Sequence, residues 1–579
     1  MSQSGVRSLA VVDRNEPPSR HRTILYFAPT AERRAAFLRE LADSDIDVCC
    51  ESECEHTFVR RDARIRVVAE NGPSAAAERL QSMYASLVIL DLRAPEAVFE
   101  SHAKPALEFL RQLDHAEDVE ARYGFHRIIV LVSSDHHPRQ DRFLLELGAR
   151  GIRNVMREEP AGDRNANFAA KVIDDGLALV FSRHVGSVAL CCAGGGITGI
   201  YFELGVLKCL ADCLPTTNAL SKFDMYFGIS AGAVVNSGLA SGFAVEEIMA
   251  SIAGFEGGRV NPIDMSVLRA THFDMGGALN RARSAVASWG RVMYEVLRGR
   301  RSLSLEDALF RYSDIIGPPF RSAAYEEIWR EVLESGEGDN DFRRLQRELF
   351  IGATDQDRRE HVLFGTRGLD HVPISKAVQA SLSFNPAFSP VEIEGRFYED
   401  GAVTRTSNFV EAIERGATLV FVVDPFLPYV SHKRGFARRR GLLFNADQNV
   451  RTLSFTRFET TRNFSLRRHP EVSSYTFLPS NRERKLLSVS PMDHRPYLAI
   501  WRGAYLSTVR RIFQLKHRMS GDLSAHGLAF DMERALEVKK RLEATSKPAF
   551  EDFFVDRQVT LPAGSQAALS DGLPRSALA

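Results

Sequence analysis

From residue 22 the chain alternates short apolar runs with stretches whose apolar residues recur at helical spacing. "TILYFA" (23–28), "SLVILDLRAP" (86–95) and "RIIVLVSSD" (127–135) are rich in Ile, Leu and Val and predict buried strands. "ERRAAFLRELAD" (32–43) predicts a helix, and "ELGARGIRNVM" (146–156) runs from a helix end through Gly148 and Gly151 into another strand. Such alternation implies a parallel sheet with helices on both faces. Groups at the carboxyl ends of its strands share one sheet edge, where α/β proteins place their sites. Asp91 and Ser133 or Ser134 fall there.

The pattern breaks at "REEPAGDRNA" (157–166), a polar linker, and resumes with a helical stretch over 167–184. A second strand–helix alternation then runs from 186 to about 548, interrupted by a long, charged, helical insertion over 280–348. The expected organisation is a disordered tail (1–21), a doubly wound, flavodoxin-like α/β domain (22–160) and a linker helix (161–184). A larger α/β domain (185–548), with a mainly parallel central sheet and helices on both faces, and a loose tail (549–579) follow.

Composition narrows the function classes. The chain has 579 residues, 44% of them hydrophobic, and 74 basic residues balance 74 acidic ones. A net charge of zero gives no global pull toward nucleic acid. "MSQSGVRSLAVVDRNEPPSRHR" lacks the apolar core of a signal peptide, and no apolar run reaches the ~18 residues that span a bilayer. Any membrane contact is therefore expected to be peripheral, from the cytoplasmic side. Seven cysteines, an odd number, argue for free thiols in a reducing compartment. Cys49, Cys50, Cys54 and His56 cluster, but their spacing fits no structural zinc pattern.

Chemistry enters with "GSVALCCAGGGITGIYFELG" (186–205), a strand, three glycines and the start of a helix. Gly194, Gly196 and Gly199 satisfy the G-x-G-x-x-G dinucleotide fingerprint. That reading needs a following strand that ends in an acid, and "DMYFG" (224–228) ends instead in "GISAG". Gly228, Ser230 and Gly232 form G-x-S-x-G, a nucleophile elbow on a strained strand-to-helix turn. The glycine loop precedes Ser230 by one strand–helix–strand unit, so in a parallel sheet the two turns emerge side by side. The Gly195 and Gly196 amides, with the dipole of the helix behind them, then face the carbonyl that Ser230 attacks. Downstream, "GRFYEDGAV" places Asp400 before Gly401 and Ala402 at a strand end, as a candidate base.

These motifs, in this order, resemble those of the patatin-like phospholipases: GGGxxG, GxSxG and DG[GA]. The resemblance covers roughly 186–430 and takes in "AVQASLSFNPAFSPV" and "LFIGATDQDRREHVLFG". It implies an α/β fold and a Ser-Asp dyad that cleaves fatty-acyl esters through an acyl-enzyme. Ser230 is then the nucleophile, Asp400 the base, and Gly194, Gly195 and Gly196 the oxyanion hole, with neither metal nor cofactor. Gly199, Gly228, Gly232, Gly401 and Ala402 support the turns. The family's loop usually carries Arg or Lys where this chain has Thr198, which bears on catalysis or headgroup preference. One alternative is a Ser-Asp-His carboxylesterase using His432, His469, His494, His517 or His526. Another is a catalytically silent lipid-binding or signalling module. Structurally, Ser230 could be a buried turn residue and Asp400 an Asp-Gly turn.

The first domain resembles the receiver domain of response regulators. "LVILDLRAP" matches the strand bearing the phosphoacceptor, which makes Asp91 the candidate acceptor, while "IIVLVSS" and "LGARGI" match later strands. Phe27, Ala28 and Pro29 stand where receivers hold Mg²⁺ with acids, and Arg157 replaces the expected lysine. The resemblance therefore implies a degenerate receiver serving for docking or dimerisation. Finally, ten basic residues lie between Lys433 and Arg468, against Asp447 and Glu459, with phenylalanines interleaved. This excess suits an anionic lipid surface, a solvated helix face suits it equally, and no RNA-binding module is present.

Overall fold

The computed structural model describes residues 20–43, 49–52, 54–60, 63–114, 120, 123–158, 168–181, 185–256, 258–265, 322–334, 339–385, 387–489 and 492–555, with Arg283, Val286, Tyr294 and Arg298. Most of the expected tails, the linker 157–166 beyond Glu158, the bulk of the 280–348 insertion and the side chains of Cys49 and Cys50 lie outside these residues. The chain divides into two compact units, Met1–His184 and Val185–Ala579.

The first unit runs β1 (Arg20–Phe27), α1 (Ala31–Ala42), β2 (Cys49–Ser52), β3 (Glu55–Arg60), β4 (Ala63–Glu70), α2 (Pro73–Ser82) and β5 (Leu87–Asp91). It continues with α3 (Glu96–Asp114), β6 (Ile128–Val132), α4 (Pro138–Ala149), β7 (Asn154–Arg157) and α5 (Phe168–Phe181). Its seven strands lie in the order β2-β3-β4-β1-β5-β6-β7. The first three pair antiparallel and the rest parallel. Numbered among themselves, the parallel strands have the flavodoxin-like order 2-1-3-4-5. The two-residue period of the strands feeds two cores. Leu25, Phe27, Val88 and Leu90 enter one, and Ile24, Tyr26, Leu87 and Ile89 the other.

Helix α5 differs from the expected linker helix. Its Phe168, Ala169, Val172 and Ile173 enter the second of these cores. A Cβ on Gly176 would come within 2.6 Å of Leu87 Cδ2. An apolar stripe this continuous must be covered, and the first sheet covers it.

The second unit begins β8 (Ser187–Cys192), α6 (Gly196–Asp212), β9 (Met225–Ile229), α7 (Ala231–Ala240), α8 (Val245–Ile252), α9 (Ala323–Glu334), β10 (Glu348–Asp355) and β11 (Glu360–Phe364). It continues α10 (Ile374–Leu382), β12 (Val391–Ile393), β13 (Arg396–Asp400), α11 (Phe409–Glu414), β14 (Ala417–Val423), α12 (Leu442–Arg468) and β15 (Ser473–Phe477). Helices α13 (Asn481–Val489), α14 (Tyr497–Ala525) and α15 (Glu533–Ala544) complete it. The sheet order is β12-β13-β10-β9-β8-β14-β15, with β11 also on β10. From β10 to β15 that path is parallel, while β11, β12 and β13 pair antiparallel. Helix α6 is buried on nearly every face, as a helix apolar all round must be. A Cβ on Gly205 would meet Ala504 Cβ and Trp501 O at 2.8 Å, so this glycine lets α14 cross close over α6. The fold is mixed α/β in both units.

Candidate active site

Parallel register brings the ends of β8 and β9 to the same edge, where Cys192 pairs with Gly228. Beyond β9 the chain turns sharply at Ser230, whose φ of 52° and ψ of −115° lie outside the comfortable range for a side-chain-bearing residue. Glycine is required around it. A Cβ on Gly228 would sit 2.5 Å from Ala233 Cα, and one on Gly232 2.2 Å from the Cys192 carbonyl oxygen. The strained turn is held from below: the Ser230 amide donates to Ser381 Oγ at 2.8 Å, and Ser381 donates to the Gly352 carbonyl at 2.6 Å. Ser381 ties the serine's turn on β9 to the neighbouring β10.

Asp400 ends β13 on the far side of β10. Its amide donates to the Ser383 carbonyl at 3.1 Å, and Thr354 Oγ1 donates to its carbonyl at 3.0 Å. Gly401 presses so close that a Cβ would stand 2.4 Å from the Gly352 oxygen. Asp400 Oδ1 accepts from the Ala402 amide at 2.8 Å. Arg457 of α12 caps this turn, donating to the Ala402 and Val403 carbonyls at 3.2 and 3.1 Å. Burial pushes the Asp400 carboxyl up to about 7, against hydrogen bonds from the Ala402 amide and the Ser230 side chain that favour its charged form.

The glycine loop lies against the serine. A Cβ on Gly194 would be 3.3 Å from Ser230 Cβ and 3.8 Å from its Oγ. Pro425 packs on Gly195 and Gly199. Among the described residues, the Gly194, Gly195 and Gly196 amides make no hydrogen bond. They stand at the amino end of α6, where peptide N–H groups have no intrahelical acceptor. Thr198 Oγ1 is turned away, toward the Gly195 and Leu487 carbonyls at 3.5 Å each.

Ser230, Asp400, Ala402 and the three glycines line one cavity of about 810 Å³. Its walls are otherwise dominated by apolar side chains such as Ile200, Val234, Ile248, Trp329 and Phe388. Two buried acids flank the loop without lining this space. Asp424 follows β14, and burial pushes it up to about 7. Glu203 of α6 is held well above the usual range by burial and by Asp424, and neither of its oxygens has a hydrogen-bond partner among the described residues. Nothing in the sequence signalled Glu203, Asp424 or Arg457 near this site, while Ser381 lies in the family-like stretch "AVQASLSFNPAFSPV" without its contact to the Ser230 turn being legible there.

The candidate triad histidines lie elsewhere. His432 and His494 are exposed, His469 faces Glu471, His517 belongs to α14, and His526 bonds Thr418. None of the five lines the cavity. His361 is buried and driven down to about 4 by desolvation; its Nδ1 meets Thr404 Oγ1, and it too is outside the cavity lining.

In the first unit, Asp91 is fully buried. It accepts from Arg93 Nη2 at 2.8 Å, from the Arg93 amide at 3.0 Å and from the Tyr26 hydroxyl at 2.5 Å. Burial, then Asp91, raises the Tyr26 phenol well above its usual value. Arg93 also reaches Glu158, and Arg157 donates to the Ser133 carbonyl. Among the described residues no helix is long and apolar enough to cross a membrane, and no group of three or more His, Cys, Asp or Glu is arranged to hold a metal ion.

The fold and the elbow define the class: an α/β domain with a strained serine at the mouth of a parallel sheet. Residues 190–413 match the family Patatin-like phospholipase. The match covers the segment that carries the glycine loop, Ser230 and Asp400, and it supports lipid acyl hydrolysis in general. VipD from Legionella pneumophila, known from a crystal structure, is 12% identical and aligns over 67% of this chain and 94% of its own, with a TM-score of 0.24. That likeness is too weak to bear on fold or function. No curated protein sequence matches.

Proposed function

We propose that this chain is a serine acyl hydrolase that cleaves fatty-acyl esters of phospholipids or lysophospholipids through Ser230 and Asp400. The observation that carries the reading is the meeting of strained Ser230, buried Asp400 and three glycine amides, unbonded among the described residues, on one apolar cavity. Ionised Asp400 takes the proton of Ser230 Oγ as the oxygen bonds to the ester carbonyl carbon. The charge that develops on the carbonyl oxygen falls to the Gly194, Gly195 and Gly196 amides, donors that need no reorganisation. Protonated Asp400 then gives its proton to the departing alcohol, leaving an acyl-enzyme. Water, deprotonated by Asp400, attacks the acyl carbon; the proton returns to Ser230 and the fatty acid leaves. A carboxylate poised near neutrality suits both halves of this cycle.

The absence of all five candidate histidines from the cavity lining favours this dyad over a triad esterase. A catalytically silent lipid-binding module is the second reading, and Thr198 motivates it, because the loop itself offers no cation. Turnover of lysophosphatidylcholine, phosphatidylcholine and a neutral short-chain ester decides between them. The dyad predicts fatty-acid release that Ser230→Ala abolishes; release that survives this change, or none from the wild type, defeats it. As partners we propose an anionic membrane face for residues 433–468, reached from the cytoplasm, and a protein or a second copy of this chain for 22–160. We read the latter as a receiver-like domain that docks without phosphoryl transfer.

A further inference from the structure

We propose that residues 430–464 form a bilayer-docking rim which holds the mouth of the cavity against anionic lipid; the inference rests on reading that cavity as one for lipid esters. The mouth can be located. Among the lining residues, Asn385 and Ala446 are exposed, so the cavity reaches the surface beside the first turn of α12. Phe444, in the same turn, also lines it. The Arg440 guanidinium stacks over Phe444 at 5.5 Å and over Phe436 at 4.8 Å, and Phe436 packs edge-on against Phe444 and Tyr429. Ring contacts therefore fasten the basic stretch 433–440 to the mouth.

The structure also sorts eight of the ten basic residues into two kinds. Arg451 and Arg462 are buried and paired with Asp447 and Glu459, and Arg457 braces the Asp400 turn. Lys433, Arg434, Arg438, Arg439 and Arg440 are exposed, and among the described residues none of them has an ion pair. The acids nearest in sequence cannot answer them: Asp424 is buried, and Asp447 holds Arg451. On a chain with no net charge this is a strictly local excess.

Large apolar side chains stand in water on the same segment. Val430 is 52% exposed, Leu453 71% and Phe464 64%. Leu453 and Phe464 are separated by about three turns of α12 and so share a face. A merely solvated face would be polar there. A nucleic acid would use the cations but leave Val430 and Leu453 without a partner. A bilayer with anionic headgroups takes both: phosphates meet the cations, and the headgroup–acyl boundary takes the apolar side chains.

Cosedimentation of the full chain with vesicles tests this, using phosphatidylcholine alone and phosphatidylcholine with phosphatidylglycerol, at low and high salt. The wild type should bind the anionic vesicles in preference, and release them at high salt. Each cation is worth roughly 5-fold in partition. The quadruple variant Lys433→Gln, Arg434→Gln, Arg438→Gln and Arg439→Gln should therefore bind more than ~100-fold less, with soluble short-chain ester turnover within about twofold of wild type. Leu453→Ser with Phe464→Ser should weaken binding at low salt. Indifference to lipid charge, retained binding by the quadruple variant, its parallel loss of soluble turnover, or tighter binding to an RNA oligomer than to vesicles overturns the proposal. If the wild type turns over no ester at all, the hydrolase reading falls, while the partition data still decide the docking surface.

Discussion

Replacing Asp400 with Asn separates the cost of its buried charge from its work as a base. The carboxyl is 2% exposed, and burial lifts it to about 7, whereas in an unfolded chain it titrates near ~3.9. Between those values the native state keeps a proton that the unfolded chain has released. Stability from this group is thus fully present below about pH 4, is lost as pH rises, and levels off above about pH 7. The whole span is worth roughly 4 kcal/mol, and about 1.5 kcal/mol of it has been lost by pH 5. Asparagine keeps an oxygen for the Ala402 amide and never ionises. The variant's advantage over wild type should therefore grow from about 1.5 kcal/mol at pH 5 to about 4 at pH 8. Asp424, also raised to about 7 by burial, titrates in the same window, but it does so in both proteins and cancels in the comparison. Denaturant unfolding of both proteins at the two pH values measures this. An advantage that is flat or shrinks with pH would refute the buried-charge argument. In the same samples, wild-type kcat/KM should fall below about pH 7, and the variant should lose on the order of 100–10,000-fold in kcat.

Four further outcomes follow from the geometry. Gly195→Ala puts a Cβ 2.8 Å from both Gly199 Cα and Pro425 Cγ; the loop must shift, kcat should fall by about 100–1,000-fold, and the overpacking should cost about 1–3 kcal/mol of stability, in parallel turnover and denaturation assays. Ser381→Ala strips the Ser230 amide and the Gly352 carbonyl of their partner, and should cost about 2 kcal/mol or more by chemical denaturation. Asp91→Ala leaves the buried Arg93 with Glu158 alone, at 3.2 Å, as its acidic partner and should destabilise the chain by about 3 kcal/mol. Wild-type protein incubated with a small phosphodonor and Mg²⁺ should show no added phosphoryl mass, because Asp91 is already fully engaged.

The central strands were legible because each is a short, continuous apolar run: Leu87–Asp91 and Ile128–Val132 lie inside the stretches that predict them. The hairpin Cys49–Ser52 and Glu55–Arg60 was not, since its charged and polar residues give no clear alternation. Helix α5 was visible as a helix, but whether its apolar stripe met a sheet depended on Leu87 and Ile129, far away in sequence. At the site, the turns announced themselves through glycines that close backbone approach demands. The support of those turns did not. Ser381 reaches across 151 residues to the Ser230 amide, and Arg457 across 55 to Ala402. Pairing over such separations is a property of the packed sheet, and no local pattern encodes it. The basic stretch shows the same limit: eight of its ten like residues became buried ion pairs, a brace on the Asp400 turn and an exposed rim once folded.

Covalent labelling with a fluorophosphonate, followed by peptide mass mapping, tests the nucleophile most directly. The reagent's phosphorus takes the place of an ester carbonyl, so only a serine with a working base and oxyanion donors should react quickly. We predict one adduct, on Ser230, slowed at least 100-fold by Asp400→Asn and absent in Ser230→Ala. An unlabelled, folded wild type, or label on another residue that persists in Ser230→Ala, would contradict the account.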